Sequence, residues 1–305
     1  MFSEIEKAYD YCRRITRLHA KSFYFAAKFL PARKQKPIYA LYALCRRVDD
    51  EVDEAEISDE RAAVAAVERW KNELHKVYAD TPDLQDSGFQ ISDFRFQISN
   101  SELVLIAWKD LLKTYKIPQH LPLELMRGVL MDTRVKRYET FDELYVYCYR
   151  VASTVGLMSS EIFGYEKPET LEFAEALGIA MQMTNILRDV KDDALMGRIY
   201  LPQEDLRKFG VTERQIFDNQ TDESFIRLMK FEIARARRFY QKAEQGISLL
   251  EKDTRFTVLL AARLYAKILE KIERQNYDVF AARAHTTKLQ KILAIPRIRR
   301  EAKKL

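Results

Sequence analysis

The chain has 305 residues, with 51 Lys and Arg against 46 Asp and Glu for a net charge of +5, and 47% of its residues are hydrophobic. Eight Gly and eight Pro make up roughly 5% of it against a typical ~12%, too few for the frequent tight connections of sandwiches, barrels and doubly wound sheets. The mild charge without a nucleic-acid-binding motif argues against a nucleic-acid module, and the 32% of charged residues suits long amphipathic helices rather than disorder.

In chain order, helical periodicity covers 2–20 and 37–56, the second stretch starting near Pro37 and ending acidic. Residues 60–80 are strongly amphipathic. The pattern then breaks at 81–100, where Phe-Gln-Ile-Ser at 89–92 recurs at 96–99. This segment reads as a mobile insertion between helices, with a short hairpin as the alternative. Helical patterns resume at 101–116, 122–137, 141–163, 169–196, 203–208, 222–251 and 254–276. The tail 286–305 is basic, with Lys288, Lys291, Arg297, Arg299, Arg300, Lys303 and Lys304 against Glu301.

No Gly-, Ser- or Pro-rich linker and no long repeat divides the chain, so 1–305 is expected to form a single all-α domain. Its helices, apolar on most faces, must bury them around a common centre. Cys12, Cys45 and Cys148 are odd in number and lack a CxxC pair, which points to free thiols in a reducing compartment. The acidic start, Met1-Phe2-Ser3-Glu4-Ile5-Glu6, is unlike a signal peptide, and no apolar run of ~18 residues predicts a membrane span. A cytoplasmic protein is expected.

Two stripes carry the chemistry. Tyr42, Arg46, Asp49 and Asp53 are spaced four, three and four apart, which puts them on one helical face. Alone, such a DxxxD end reads as a solvated acidic terminus. The second stripe is Gln182, Asn185, Asp189 and Asp193, set in a helix otherwise nearly all apolar, including Ile179, Met183, Ile186, Leu187 and Val190. A polar minority on a buried helix lines an internal cavity, unless it forms an ion-pair network with Arg188 and Lys191. Carboxylate oxygens in such a place suit Mg²⁺ shared with substrate phosphates. Mg²⁺ held between facing DxxxD helices would then neutralise a diphosphate leaving group and let a C–O bond ionise beside a dry pocket. A third segment, Tyr147-Cys148-Tyr149-Arg150-Val151-Ala152-Ser153-Thr154-Val155-Gly156, has small residues that admit either a ligand or another helix backbone.

Together these segments resemble the phytoene/squalene synthase family, the head-to-head members of the trans-prenyl diphosphate synthases. The resemblance runs from about Tyr9 to Leu293. It rests on Lys21-Ser22-Phe23-Tyr24, the first acidic stripe, YCxxVAxxVG from Tyr147 and LGxxxQxxNILRDxxxD from Leu177. Gly197-Arg198-Ile199-Tyr200-Leu201-Pro202, Arg263-Leu264-Tyr265 and Asn276-Tyr277 complete it. It implies an isoprenoid synthase helical bundle around a central hydrophobic cavity. It also implies Mg²⁺-dependent (or Mn²⁺-dependent) 1′–1 joining of two prenyl diphosphates through a cyclopropylcarbinyl diphosphate.

By position, the resemblance makes Asp49, Asp53, Asn185, Asp189 and Asp193 the metal ligands. It places Ser22, Arg46, Gln182, Arg188 and Tyr265 on the diphosphate or its polar rim. Tyr42 and Tyr147 fall near the reacting carbons, with Arg46 and Arg188 also counted as catalytic. The arginine expected five residues after Tyr277 falls on Ala282, with Arg283 next to it.

Ala27 is small where shorter-chain relatives carry a bulky ring, which favours the C40 product phytoene. Tyr39 is large and pulls toward C30 products (squalene, dehydrosqualene or presqualene diphosphate), and NADPH enters only if squalene is made. A non-catalytic helical assembly factor of the same fold is the alternative from another class, and a head-to-tail synthase or terpene cyclase a third. The basic tail is expected either to touch an anionic membrane surface at the inner face or to be a solvated terminus.

Overall fold

The computed structural model describes residues 3–56, 60–79 and 99–305. Helices α1 (Glu4–His19), α2 (Lys21–Ala27), α3 (Ala32–Glu56), α4 (Glu60–Ala79), α5 (Asn100–Leu112) and α6 (His120–Arg134) form the first half. Then come α7 (Phe141–Cys148), a π-helical turn (Tyr149–Ser153), α8 (Thr154–Phe163) and α9 (Thr170–Leu195). The rest is α10 (Gln203–Phe209), α11 (Glu213–Phe217), α12 (Glu223–Gln245), α13 (Lys252–Arg274) and α14 (Lys288–Ala302). Among the described residues there is no sheet, only isolated bridges at Arg137–Ile199 and Tyr165–Leu250.

Local chemistry sets several boundaries. Ser3 with Glu6, Ser99 with Glu102 and Thr287 with Gln290 close reciprocal caps at the starts of α1, α5 and α14. The segment expected as an insertion, 81–100, lies outside the described residues except for Ser99 and Asn100, which cap and open α5.

Several elements differ from the sequence expectation. Helix α3 begins at Ala32 and passes through Pro37. A proline leaves the carbonyl four residues back without its helical donor. Here that carbonyl belongs to Arg33, and the Tyr115 hydroxyl donates to it at 3.3 Å. Residues 21–27 form α2, an element the periodicity does not announce because it spans only seven residues. The stretch 141–163 is divided by the π-turn, and 222–251 ends its α-helix at Gly246, where a Cβ would lie 2.3 Å from Phe173 Cβ. The basic tail is helical over α14, with Lys291, Ala294 and Ile298 buried.

The packing places α9 at the centre, against α12, α13, α8 and the π-turn. Its approach to the π-turn depends on Gly178, where a Cβ would sit 2.4 Å from Ser153 Cα. Gly156 on α8 meets α9 in the same way, 2.8 Å from the Ala174 carbonyl oxygen. The small residues of the third segment therefore serve a helix–helix contact, and Ala152 and Gly156 also line a cavity. At the far end, buried Lys34 joins three elements. Its Nζ donates to the Phe163 carbonyl at 2.7 Å, to Glu251 at 2.5 Å and to Asp253 at 2.9 Å. Cys12, Cys45 and Cys148 are free thiols, as expected.

Candidate active site

A cavity of about 470 Å³ runs between α2, α3, α6, α8, α9 and α13. Ala27, Leu30, Ile38, Leu250 and Val258 give it apolar walls, while Tyr42, Arg46, Asp49, Asp132, Gln182 and Asn185 supply polar groups. The helical period explains the grouping. Residues 42, 46 and 49 share the inner face of α3, and residues 182 and 185 that of α9. The two acidic stripes meet across the bundle because α3 and α9 both pack on α8.

The charges in this region are imperfectly balanced. Burial, and then repulsion from Asp53, pushes the Asp49 carboxyl up to about 7, although Arg46 donates to it at 3.0 Å. Burial likewise pushes Asp193 up to about 7, followed by repulsion from Asp189 and Asp132. Burial raises Asp189 as well, but arginines outweigh it and hold this carboxyl below its usual range. Arg188 Nε donates to it at 2.7 Å, and Arg283 donates through Nε at 2.7 Å and Nη2 at 2.9 Å. Arg283 also lies 3.6 Å from Asp192. The arginine one place beyond its expected position thus reaches the second acidic stripe.

Divalent ions fit these residues. Burial and mutual repulsion raise one carboxyl on each stripe, Asp49 and Asp193, and Asn185 Oδ1 is buried without a hydrogen-bond partner while its Nδ2 donates to Gln182 at 3.2 Å. Among the described residues, no three His, Cys, Asp or Glu side chains converge into a ready-made metal cage. Hard ions that keep few protein ligands and share phosphate oxygens are held by this kind of spread arrangement.

Asp132 on α6 is a site residue that the sequence analysis missed. It lines the cavity and accepts from the Tyr147 hydroxyl at 2.9 Å and the Tyr200 hydroxyl at 2.7 Å. Its charge acts on Asp49, Asp53 and Asp193, so it stands between the two acidic stripes. Burial raises its own carboxyl, against the opposing pull of Tyr200, Arg198 and Tyr147. The rings of Tyr138, Tyr147 and Tyr200 pack together, with centroids 5.1 to 5.9 Å apart. The available signal was a lone aspartate following Leu125, Met126, Val129 and Leu130 on an apolar helix face.

Of the other expected residues, Tyr42, Arg46, Asp49, Tyr147, Gln182, Asn185, Tyr265 and Ala27 line the cavity. Asp53, Asp189 and Asp193 lie beside it within the coupled acidic group. Arg188 is turned onto Asp189 and does not line the cavity, nor does Ser22. Tyr39, expected to limit pocket depth, instead packs on the Tyr24 ring at 5.4 Å, and its neighbour Ile38 faces the cavity. His19 and Ala20, on the chain leading into α2, line the cavity and were not anticipated.

A family model described as squalene/phytoene synthase matches residues 16–290. A phytoene synthase of Arthrospira platensis is 39% identical over 302 residues, covering 95% of this chain and 91% of that protein. A 15-cis-phytoene synthase of Synechococcus elongatus is 36% identical, covering 96% of this chain and 93% of that one. Among solved structures, a dehydrosqualene synthase in complex with a ligand superposes with a TM-score of 0.85 at 29% identity, covering 99% of both chains. A squalene synthase of Alicyclobacillus acidocaldarius gives 0.77 at 27% identity, covering 91% of this chain and 97% of that one.

Proposed function

This chain belongs to the squalene/phytoene synthase family, and from that membership we propose that it joins two geranylgeranyl diphosphates head to head to give phytoene. The identities of 36–39% to cyanobacterial proteins named phytoene synthase carry the choice of product. An apolar cavity with acidic stripes at its polar end suits the chemistry. In this reading Asp49, Asp53, Asn185, Asp189 and Asp193 hold Mg²⁺. When bound, the ions neutralise the leaving diphosphate as the allylic C–O bond breaks.

The chain's own residues do the rest. Arg46, Gln182 and Tyr265 line the cavity, and in this reading they bind the diphosphate. Tyr42 and Phe23, whose ring centroids lie 5.6 Å apart, both line the cavity, and in this reading they steady a developing carbocation. Tyr147, oriented by Asp132, presents a ring to the same space and has its hydroxyl occupied. The apolar walls exclude water that would capture the cation before the second substrate does. The first cation adds to the double bond of the second substrate and a proton is lost, giving a cyclopropylcarbinyl diphosphate. Breaking its own C–O bond releases the second diphosphate, and the rearranged cation loses a proton to form the central double bond of phytoene. In this reading, greasy substrate tails and a greasy product favour a position at the periphery of a membrane. Among the described residues, no helix is long and apolar enough to cross one.

Incubation with farnesyl or geranylgeranyl diphosphate and Mg²⁺, with and without NADPH, followed by product identification, tests this reading. Phytoene from geranylgeranyl diphosphate without NADPH is expected. Exclusive formation of a C30 product from farnesyl diphosphate would replace it with the shorter-chain reading, and no product from either would remove the catalytic one.

A further inference from the structure

Helix α14 is amphipathic in an unusual sense, because the face opposite its buried side is not polar. Leu289 is 64% exposed, Ile292 52% and Leu293 68%, and Pro296 is exposed as well. Spacings of three, four and seven place these four residues in one stripe along the helix. Farther along the same side come Arg300, Lys303 and Lys304, while Lys288 and Arg299 flank one edge and Arg297 the other, all exposed. The only acidic residue of the helix, Glu301, is already engaged by Arg263 at 3.3 Å and Arg297 at 2.9 Å.

The helix is firmly held from behind. Ala294 and Ile298 pack into a cluster with Leu259, Leu260 and Leu264, and Arg255 donates to the Leu305 carbonyl at 2.9 Å. The apolar stripe is therefore a fixed surface rather than a frayed end. Through its buried side, the helix also adjoins the cavity. Lys291 lies near enough to Lys21 at the start of α2 for their charges to oppose each other, and Ala20 and Phe23 beside Lys21 line the cavity. Ala26 and Val258 belong both to the cluster beneath α14 and to the cavity wall.

We propose that the exposed face of α14 docks the protein on an anionic lipid bilayer, with Leu289, Ile292, Leu293 and Pro296 entering the headgroup boundary and the surrounding lysines and arginines meeting lipid phosphates. Charge complementarity selects this occupant. A second copy packed through the same face would set Lys288, Arg299 and Arg300 against their own like charges, and a nucleic acid would leave the apolar stripe unburied. One weak apolar contact combined with a basic surround is the two-signal arrangement that gives stable peripheral binding. Docked this way, the chain holds its cavity beside the membrane from which a prenyl diphosphate comes. The proposal deepens the reading of that cavity as a prenyl diphosphate site, but its test does not depend on turnover.

The full chain is sedimented with vesicles of phosphatidylcholine alone and of phosphatidylcholine mixed with phosphatidylglycerol. Binding to the mixed vesicles, weakened by salt, is expected. The variant combining Ile292→Glu and Leu293→Glu, and the variant combining Arg299→Glu and Arg300→Glu, should each lower the partition coefficient by roughly tenfold or more. Both should keep the wild-type circular dichroism spectrum. If the first variant unfolds, Ile292→Gln with Leu293→Gln carries the same comparison. Wild-type binding by the folded variants, or equal binding to neutral vesicles, would overturn the proposal. So would a concentration-dependent dimer that the Ile292→Glu, Leu293→Glu variant abolishes, which would assign the face to a second copy. A chain that binds vesicles as described but makes no phytoene would refute the proposed activity and leave the docking surface standing.

Discussion

Arg283 closes a two-pronged contact on Asp189 across 94 residues of chain, one guanidinium nitrogen on each carboxylate oxygen at 2.7 and 2.9 Å. The contact brings the loop between α13 and α14 onto the second acidic stripe. It occupies the carboxylate oxygens that the proposed Mg²⁺ site needs, so in that proposal guanidinium and metal compete for them.

Removing that competitor has a measurable consequence. Arg283 is more than half exposed, so its grip on Asp189 is worth about 1 kcal/mol after screening. Arg283→Ala should therefore lower the Mg²⁺ concentration for half-maximal turnover by roughly fivefold. The substrate KM should rise, because a cation is lost from the diphosphate rim. An Mg²⁺ titration curve superimposable on wild type would show that the loop does not compete for Asp189.

Asp132 holds the Tyr147 hydroxyl at 2.9 Å, and under the proposed function it acts on the reaction through that ring. Asp132→Asn keeps the side chain's size but loses its charge and one strong acceptor. Turnover should fall about 10- to 100-fold with little change in KM, as expected for a group that orders an aromatic near the reacting carbons. Tyr147→Phe should cost less in the Asp132→Asn background than alone. Strictly additive losses in kcat would show that the two residues work independently.

The elevated carboxyl of Asp49 links pH to stability. Its folded value of about 7 lies above its ordinary value of 3.8. Its contribution is therefore fully present below about pH 4 and is lost as pH rises toward 7. Asp49→Asn escapes that loss. In the presence of a chelator, its stability relative to wild type should improve between pH 5 and pH 8 by about 1 kcal/mol, discounted for the side chain's partial exposure. Thermal unfolding at the two pH values reads the difference, and a constant gap would mean that Asp49 is not destabilised when ionised. With Mg²⁺ present the same variant should lose turnover.

Ala27 is buried in the cavity wall, and a ring there would take up space that a long prenyl tail needs. Ala27→Phe should shift the kcat/KM ratio toward farnesyl over geranylgeranyl diphosphate by roughly tenfold or more. Unchanged selectivity would place the end of the substrate tail elsewhere.

Gly178 permits the close approach of α9 to the π-turn, and a methyl group there meets Ser153 backbone at 2.4 Å. Gly178→Ala should cost about 1 to 3 kcal/mol of stability in denaturant unfolding, because backbone must move rather than a side chain. It should also depress turnover by tilting the helix that carries Asp189. Full stability would mean that the two elements separate without penalty.

The sequence by itself determined the all-helical architecture and both acidic stripes. Helical period is a local property, so residues 42, 46, 49 and 53, or 182, 185, 189 and 193, fall on one face wherever the helix lies. The apolar surroundings of Asn185 and Asp189 likewise marked their stripe as internal. Tertiary structure alone decided which distant groups those stripes meet. Asp132 finds Tyr200 68 residues away, and Arg283 finds Asp189 over a still longer span. Helix α3 begins before Pro37 with a tyrosine from the α5–α6 connection beside its freed carbonyl. Tyr39 and Ile38 exchange the parts that residue size alone would assign them, because rotation of α3 in the bundle selects which one faces the cavity. Spacing along a helix fixes direction relative to its neighbours in sequence, whereas contact across the bundle depends on packing that no short segment encodes.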